Sequence, residues 1–182
     1  MKLMFASDIH GSSYYANRVV EIFEKEQAEN LILLGDILYH GPRNDLPKDY
    51  DPKKVIALLN PLKEKLLCVR GNCDGEVDQM VLDFPILADY IMLFLDGKRV
   101  YLSHGHIYNP ETPMPLQKGD ILINGHTHVH KAEEKENFTY INPGSVSIPK
   151  ENQVPSYMIY QDKTFFIKDL NGNILCTYEV VK

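Results

Sequence analysis

The chain has 182 residues, a formal charge of −6, and 44% hydrophobic against 24% charged residues, the composition of an ordinary globular protein of about one domain. That excludes disorder over most of its length, and a chain of this size buries about 70% of its unfolded surface without disulfide staples. A pI near 5.6 argues against a broad basic surface for nucleic acid or anionic lipid, so an anionic substrate has to be held by a local positive charge such as a metal.

The first eight residues, MKLMFASD, are too short for a secretory leader, and nothing approaches the roughly 18 apolar residues of a membrane span. Cys68, Cys73 and Cys176 are odd in number and form no CxxC pair, which fits a reducing cytoplasm.

In chain order, 2–6 reads as a buried strand that ends in Asp8. Residues 14–28 carry Ala16, Val19, Val20 and Phe23 at helical spacing, with Ser12 or Ser13 as cap. A second buried strand spans 30–36, a helix 54–60 follows Asp51 and Pro52, and 66–69 is a third strand stopped at Gly71. This β-α-β-α-β order predicts a parallel sheet.

The second half is strand-rich. Residues 91–95 and 99–103 flank Asp96-Gly97 as a hairpin. Further strands are expected at 120–124, 131–136 (a solvated strand or turn), 138–142, 156–161, 164–169 and 174–181, with turns at Asp162-Lys163 and 171–173. Asn142-Pro143-Gly144-Ser145 reads as a strand-end turn. Two long irregular segments, 38–51 and 105–118, have the length of functional loops.

The chemistry collects at strand ends: Asp8-Ile9-His10, Gly35-Asp36, Gly71-Asn72-Cys73-Asp74, His104-Gly105-His106 and Gly125-His126-Thr127-His128. In open α/β sheets, ligands bind beyond the carboxyl ends of the strands. Imidazole suits zinc, iron and nickel, while carboxylate and amide oxygen suit manganese or magnesium. The lack of thiolate pairs argues against a structural zinc site. Asp8/His10 and His126/His128 are i, i+2 pairs, which extended backbone would point the same way. Seven candidate ligands exceed the needs of one ion. Two ions, about 3.5–4 Å apart in typical two-metal hydrolases, are the economical reading, with Asp36 as the bridging carboxylate.

The ordered pattern D-x-H, G-D, G-N-x-D, H-G-H and G-H-T-H over residues 8–128 resembles the calcineurin-like metallophosphoesterase superfamily. H-G-P-R-N at 40–44, R-G-N-C-D at 70–74 and N-P-G-S-V-S at 142–147 resemble its small bacterial phosphodiesterases of the YfcE type. The resemblance implies a single domain over 1–182 with a four-layer α/β/β/α sandwich: two mixed β-sheets face to face, helices on the outer faces. It implies that Asp8, His10 and His128 hold one metal, that Asn72, His104 and His126 hold the other, and that Asp36 and a bridging hydroxide join them. Manganese is its expected metal, with zinc, iron, nickel or magnesium as alternatives. A small phosphodiester is its expected substrate, and a homo-oligomer its expected state; no nucleic-acid or membrane partner is expected.

The sequence departs from that pattern at Cys73, where most members carry a histidine that protonates the leaving oxygen. A cysteine near its ordinary pKa of about 8.5 is a poorer acid at neutral pH, so a preference for activated leaving groups is expected. Asp74, which would orient that histidine, is left with an open role. Arg43 either grips a phosphate oxygen or pairs with Asp45. His40 lies in a loop able to reach substrate, and His106 is either a supporting hydrogen-bond partner or a loop residue. His130 is read as a non-ligand, and Cys68 and Cys176 as core thiols. Rival readings are a phosphomonoesterase or nucleotide phosphatase with the same metals, and a non-catalytic scaffold of the same fold, like the small retromer subunit.

Overall fold

The computed structural model describes residues 1–180. Two mixed sheets pack face to face. The first has six strands: β1 (Lys2–Ala6), β2 (Asn30–Leu33), β3 (Leu66–Cys68), β9 (Ser156–Gln161), β10 (Thr164–Asp169) and β11 (Ile174–Glu179), in the order β11-β10-β9-β1-β2-β3. The second has five: β4 (Ile91–Leu95), β5 (Lys98–Leu102), β6 (Asp120–Ile123), β7 (Lys131–Glu134) and β8 (Phe138–Asn142), in the order β4-β5-β6-β8-β7. The expected parallel core is present, since β1 pairs with β2 and β2 with β3 in parallel register. Every other expected strand forms with ends shifted by at most a few residues. Val181, where the last was expected to end, lies outside the described residues.

Alternation along β1 builds two cores at once. Leu3 and Phe5 face the second sheet and join Ile32, Val100, Ile121, Ile141 and Phe165 between the sheets. Met4 and Ala6 face the other way, onto α1 (Ser13–Glu26) and α2 (Pro52–Leu59) through Val19, Phe23, Val55 and Leu59. Ser12 starts α1 by accepting the Tyr15 amide, and Gln27 ends it in the left-handed conformation. Asp51 caps α2, and Pro52 fills its first turn. A four-residue helix, α3 (Glu76–Gln79), was not expected; one turn is too short to show helical periodicity.

The outer layers are unequal. Both helices of eight residues or more cover the six-stranded sheet, and segment 105–118, on the far side of the chain order, forms no helix. The mixed α/β architecture, with two mixed sheets face to face, is as expected. Met92 and Phe94 on the edge strand β4 are exposed.

The β4–β5 and β9–β10 hairpins use tight turns with positive φ at two successive residues, Asp96-Gly97 and Asp162-Lys163. For the site, the decisive feature is that β1, β2 and β3 run parallel, as do β5, β6 and β8, so each set ends on one edge of its sheet. The two edges are tied together where the His104 Nδ1 meets the Leu34 carbonyl at 2.6 Å and the Val146 amide donates to the Ser7 carbonyl at 3.1 Å.

At the opposite end of α1, Glu26 clamps the helix to the sheet. It accepts from Lys2 Nζ at 2.6 Å, Lys168 Nζ at 2.7 Å and Tyr157 OH at 2.9 Å. Burial alone would raise its pKa, but Lys168, Lys2 and Tyr157 outweigh it and lower it from 4.5 to about 2. A depressed carboxylate stabilises above its unfolded pKa and loses that contribution as pH falls through the folded value. We therefore expect the urea stability gap between wild type and Glu26→Gln to be full above pH 4.5 and to shrink toward pH 2. A gap independent of pH across that window would contradict the clamp.

Candidate metal centre

Just past the strands, the backbone leaves extended geometry. Asp8, His10, Asp36, His126 and His128 all have positive φ, between 51° and 65°. Left-handed residues other than glycine cost about 1 kcal/mol or more each, and such strain gathers at functional sites. The i, i+2 pairs were expected to share a direction through extended backbone, yet all four residues are left-handed, and His126 and His128 point to different partners. The loops are nevertheless zipped: the Asp8 amide donates to Gly35 O, His10 to Asp36 O and Gly11 to Ile37 O. Close approach explains two glycines. A Cβ on Gly71 would stand 2.1 Å from Asp36 Oδ1, and one on Gly125 would stand 1.9 Å from Ser7 Oγ.

Three imidazoles are oriented in the same way. His10 Nδ1 meets the Tyr39 carbonyl at 2.8 Å, His104 Nδ1 the Leu34 carbonyl at 2.6 Å, and His128 Nδ1 the Ile148 carbonyl at 2.6 Å. A carbonyl can only accept, so Nδ1 carries the proton and Nε2 of each neutral ring presents a lone pair. Those lone pairs converge on acceptors. Asp8 Oδ1 lies 3.2 Å from His128 Nε2 and 3.6 Å from His10 Nε2, and it is buried without a hydrogen-bond partner. His104 Nε2 lies 3.0 Å from Asn72 Oδ1 and 3.2 Å from His126 Nδ1. Asp36 Oδ2 sits between the groups, 3.6 Å from His10 Nε2 and 3.4 Å from His104 Nε2.

Each carboxylate spends its other oxygen on an anchor. Asp8 Oδ2 accepts from Ser7 Oγ and the His126 amide, and Asp36 Oδ1 from the Cys73 amide. All seven expected ligands thus meet in one cluster. The donor set fits divalent cations, because acceptor atoms this close need positive charge between them. In the protein alone, protons take that part. Burial would depress His104, but the Asp36 and Asp8 carboxylates outweigh it and its pKa rises to about 9.

The remaining expected residues separate. A cleft of about 460 Å³ opens over the cluster, lined by Arg43, Asn72, Cys73, His126, Thr127 and Lys150 among others. Arg43 makes no ion pair with Asp45 among the described residues. His40 does not line this cleft; its ring stands edge-on between Tyr39 and Tyr50. His106 lies beside the cluster, its ring 5.4 Å from that of His104, and lines a separate polar groove with His130. Burial, then the charge on Asp36, pushes the Cys73 thiol up to about 12.

Asp74 faces away from the cleft. Its carboxylate accepts the Asp36, Gly71 and Ile37 amides at 2.8, 2.8 and 2.9 Å. It ties the β2 and β3 loops together, which makes it a positioning group.

Residues missed in the sequence support the cluster from behind. Ser145 Oγ and Ser147 Oγ both donate to the Asp8 carbonyl, at 2.9 and 2.7 Å. The segment read as a plain turn at 142–145 is therefore a buttress, whose only sequence signal was the N-P-G-S-V-S stretch. Lys150 was also missed; a lone lysine after a proline carries no signal. Asp74→Ala would strand three buried amides, so we expect a loss of about 3 kcal/mol or more in denaturant titrations, with weakened metal retention. Unchanged stability would contradict the anchoring role.

A model of the calcineurin-like phosphoesterase superfamily domain matches residues 1–164. The chain is 48% identical to phosphodiesterase YfcE of Escherichia coli strain K12 over 171 residues, 94% of this chain and 93% of that protein. It is 28% identical to phosphodiesterase MJ0936 of Methanocaldococcus jannaschii over 152 residues, 79% of this chain and 83% of that one. A solved structure of YfcE, described as a phosphoesterase from E. coli, superposes with a TM-score of 0.97 at 45% identity, covering all of both chains. Together with the ordered strand-end motifs and the cluster they build, these matches mean that the chain belongs to the calcineurin-like phosphoesterase superfamily.

Proposed function

We propose that the chain is a phosphodiesterase, one domain over 1–182, that works with two divalent cations at this cluster. The observation that carries the reading is the convergence of imidazole nitrogens and carboxylate oxygens, with Asp8 Oδ1 buried and unpartnered. Asp8, His10 and His128 hold one cation in this reading, Asn72, His104 and His126 hold the other, and Asp36 lies between. Manganese is the occupant that the family resemblance implies, and the mixed nitrogen and oxygen set without thiolate also accommodates zinc, iron, nickel or magnesium. Bound there, two cations supply Lewis acidity, which acidifies water and neutralises charge on phosphoryl oxygens.

The chain's own residues do the rest. Arg43 and Lys150, lining the cleft, hold the phosphate oxygens. Asp74 and the Ser145–Ser147 buttress keep the donor atoms in register. Cys73 lines the same cleft, and a thiol is a poorer proton donor at neutral pH than an imidazolium. Leaving groups that depart without a proton, such as nitrophenoxide, are therefore favoured over alkoxides. No helix among the described residues is long and apolar enough to cross a membrane. The three cysteines are free, in keeping with a cytoplasmic site of action.

Two variants test the reading. Asp36→Asn should lower turnover of bis(4-nitrophenyl) phosphate by about a thousandfold and reduce bound metal in elemental analysis. Full activity and metal content would overturn the cation site. Cys73→His should raise hydrolysis of alkyl phosphodiesters relative to aryl ones by about a hundredfold, the usual scale of a restored general acid. An unchanged ratio in steady-state assays would remove Cys73 from the specificity argument. Faster turnover of 4-nitrophenyl phosphate than of the diester would favour the phosphomonoesterase reading instead.

A further inference from the structure

A second groove, of about 620 Å³, joins the cation cleft through shared walls. Asn72 and Cys73 line both. Its volume lies within the roughly 300–1,000 Å³ of small-molecule sites. Beyond the shared wall its lining is largely apolar or aromatic: Leu38, Tyr39, Tyr50, Ile56, Val77 and Val81. Val77 is 76% exposed and Val81 44%, so apolar surface lies open beside the cleft. Of its two carboxylates, Asp78 accepts the Gly75 amide at 2.8 Å and adds negative charge that disfavours an anionic occupant. Asp74 also lines the groove, but its buried carboxylate is taken up by backbone amides.

The aromatic walls are built into the cation-binding loops. The Tyr39 carbonyl accepts from His10 Nδ1 at 2.8 Å, while the Tyr39 ring lines the groove. The Tyr50 ring packs so closely on Gly11, next to His10, that a Cβ there would stand 2.4 Å from it. His40 stands edge-on between these two rings, at 4.8 and 5.2 Å. The aromatic side of the groove is thus held against the cluster.

On the opposite side of the cleft, across His126 and Thr127, lies a groove of contrary character. It carries His106, His130, Lys131, Glu133, Lys135 and Glu151. A phosphodiester has two substituents, and the two flanks differ in polarity.

We infer that the Tyr39–Val77 groove is a subsite for one planar, apolar substituent of the phosphodiester, with the cluster holding the phosphate and the His126 side left to a polar substituent. This inference rests on the phosphodiesterase reading and gives it a substrate class: asymmetric diesters with one aromatic or otherwise apolar arm.

The test is binding of diphenyl phosphate and dimethyl phosphate to the manganese-loaded protein by calorimetry, alongside separate turnover assays. Wild type should bind the diphenyl ester about tenfold or more tightly than the dimethyl ester, an effect of the size that apolar subsites give. Val77→Asp should bring the ratio close to unity, and Val77→Leu should keep it. Equal binding of the two esters by wild type, or a ratio that Val77→Asp leaves intact, would overturn the subsite. So would a change of oligomeric state in size-exclusion chromatography on Val77→Asp with the ratio retained, because the groove would then seat a second copy of the chain. Absence of turnover toward bis(4-nitrophenyl) phosphate would sink the phosphodiesterase reading alone, since the binding ratio is read without turnover.

Discussion

Acceptor atoms facing one another across short distances are the constraint on which the rest of the site depends. His10, His104 and His128 each commit Nδ1 to a backbone carbonyl, which turns Nε2 toward carboxylate oxygens that can only accept as well. Such an arrangement is repulsive unless positive charge enters it. Protons can serve, as the elevated His104 pKa of about 9 indicates. Divalent cations serve better, because one ion satisfies several lone pairs together. The excess acidity of the chain follows the same logic: attraction for a phosphate ester is local and depends on what the cluster binds.

Holding such a cluster open requires a rigid frame, and the frame is mostly backbone. Five of the converging residues sit in the left-handed region, a conformation maintained only where surrounding bonds over-determine it. Those bonds are identifiable. The loops after β1 and β2 pair beyond the end of the sheet, Asp74 gathers three amides, and Ser145 and Ser147 grip the Asp8 carbonyl from the second sheet. The strain at the ligands and the hydrogen bonds behind them are two sides of one device, and the parallel strands aim both sheets' edges at it.

Much of this was legible because parallel strands are buried on both faces and read as continuous apolar runs that stop abruptly. Asp8, Asp36, Asn72, His104 and His126 were visible as polar residues at those stops. The direction of their side chains was not, since the i, i+2 rule presumes extended backbone and the chain turns left-handed there. The buttress at 142–148 was also hidden: a serine that supports a carbonyl from a distant loop looks like any turn serine. Asp74 had motif context but no geometry, and only the structure shows its carboxylate on backbone amides. Segment 105–118 reads as irregular from its composition, and it forms neither helix nor strand.

The central claim is that the cluster holds two cations close enough to share Asp36. Electron paramagnetic resonance of the protein loaded with manganese and then desalted tests it most directly. The account predicts two manganese ions per chain with the spectrum of an exchange-coupled pair. A single ion per chain, the signal of isolated manganese, or no retained metal would contradict it.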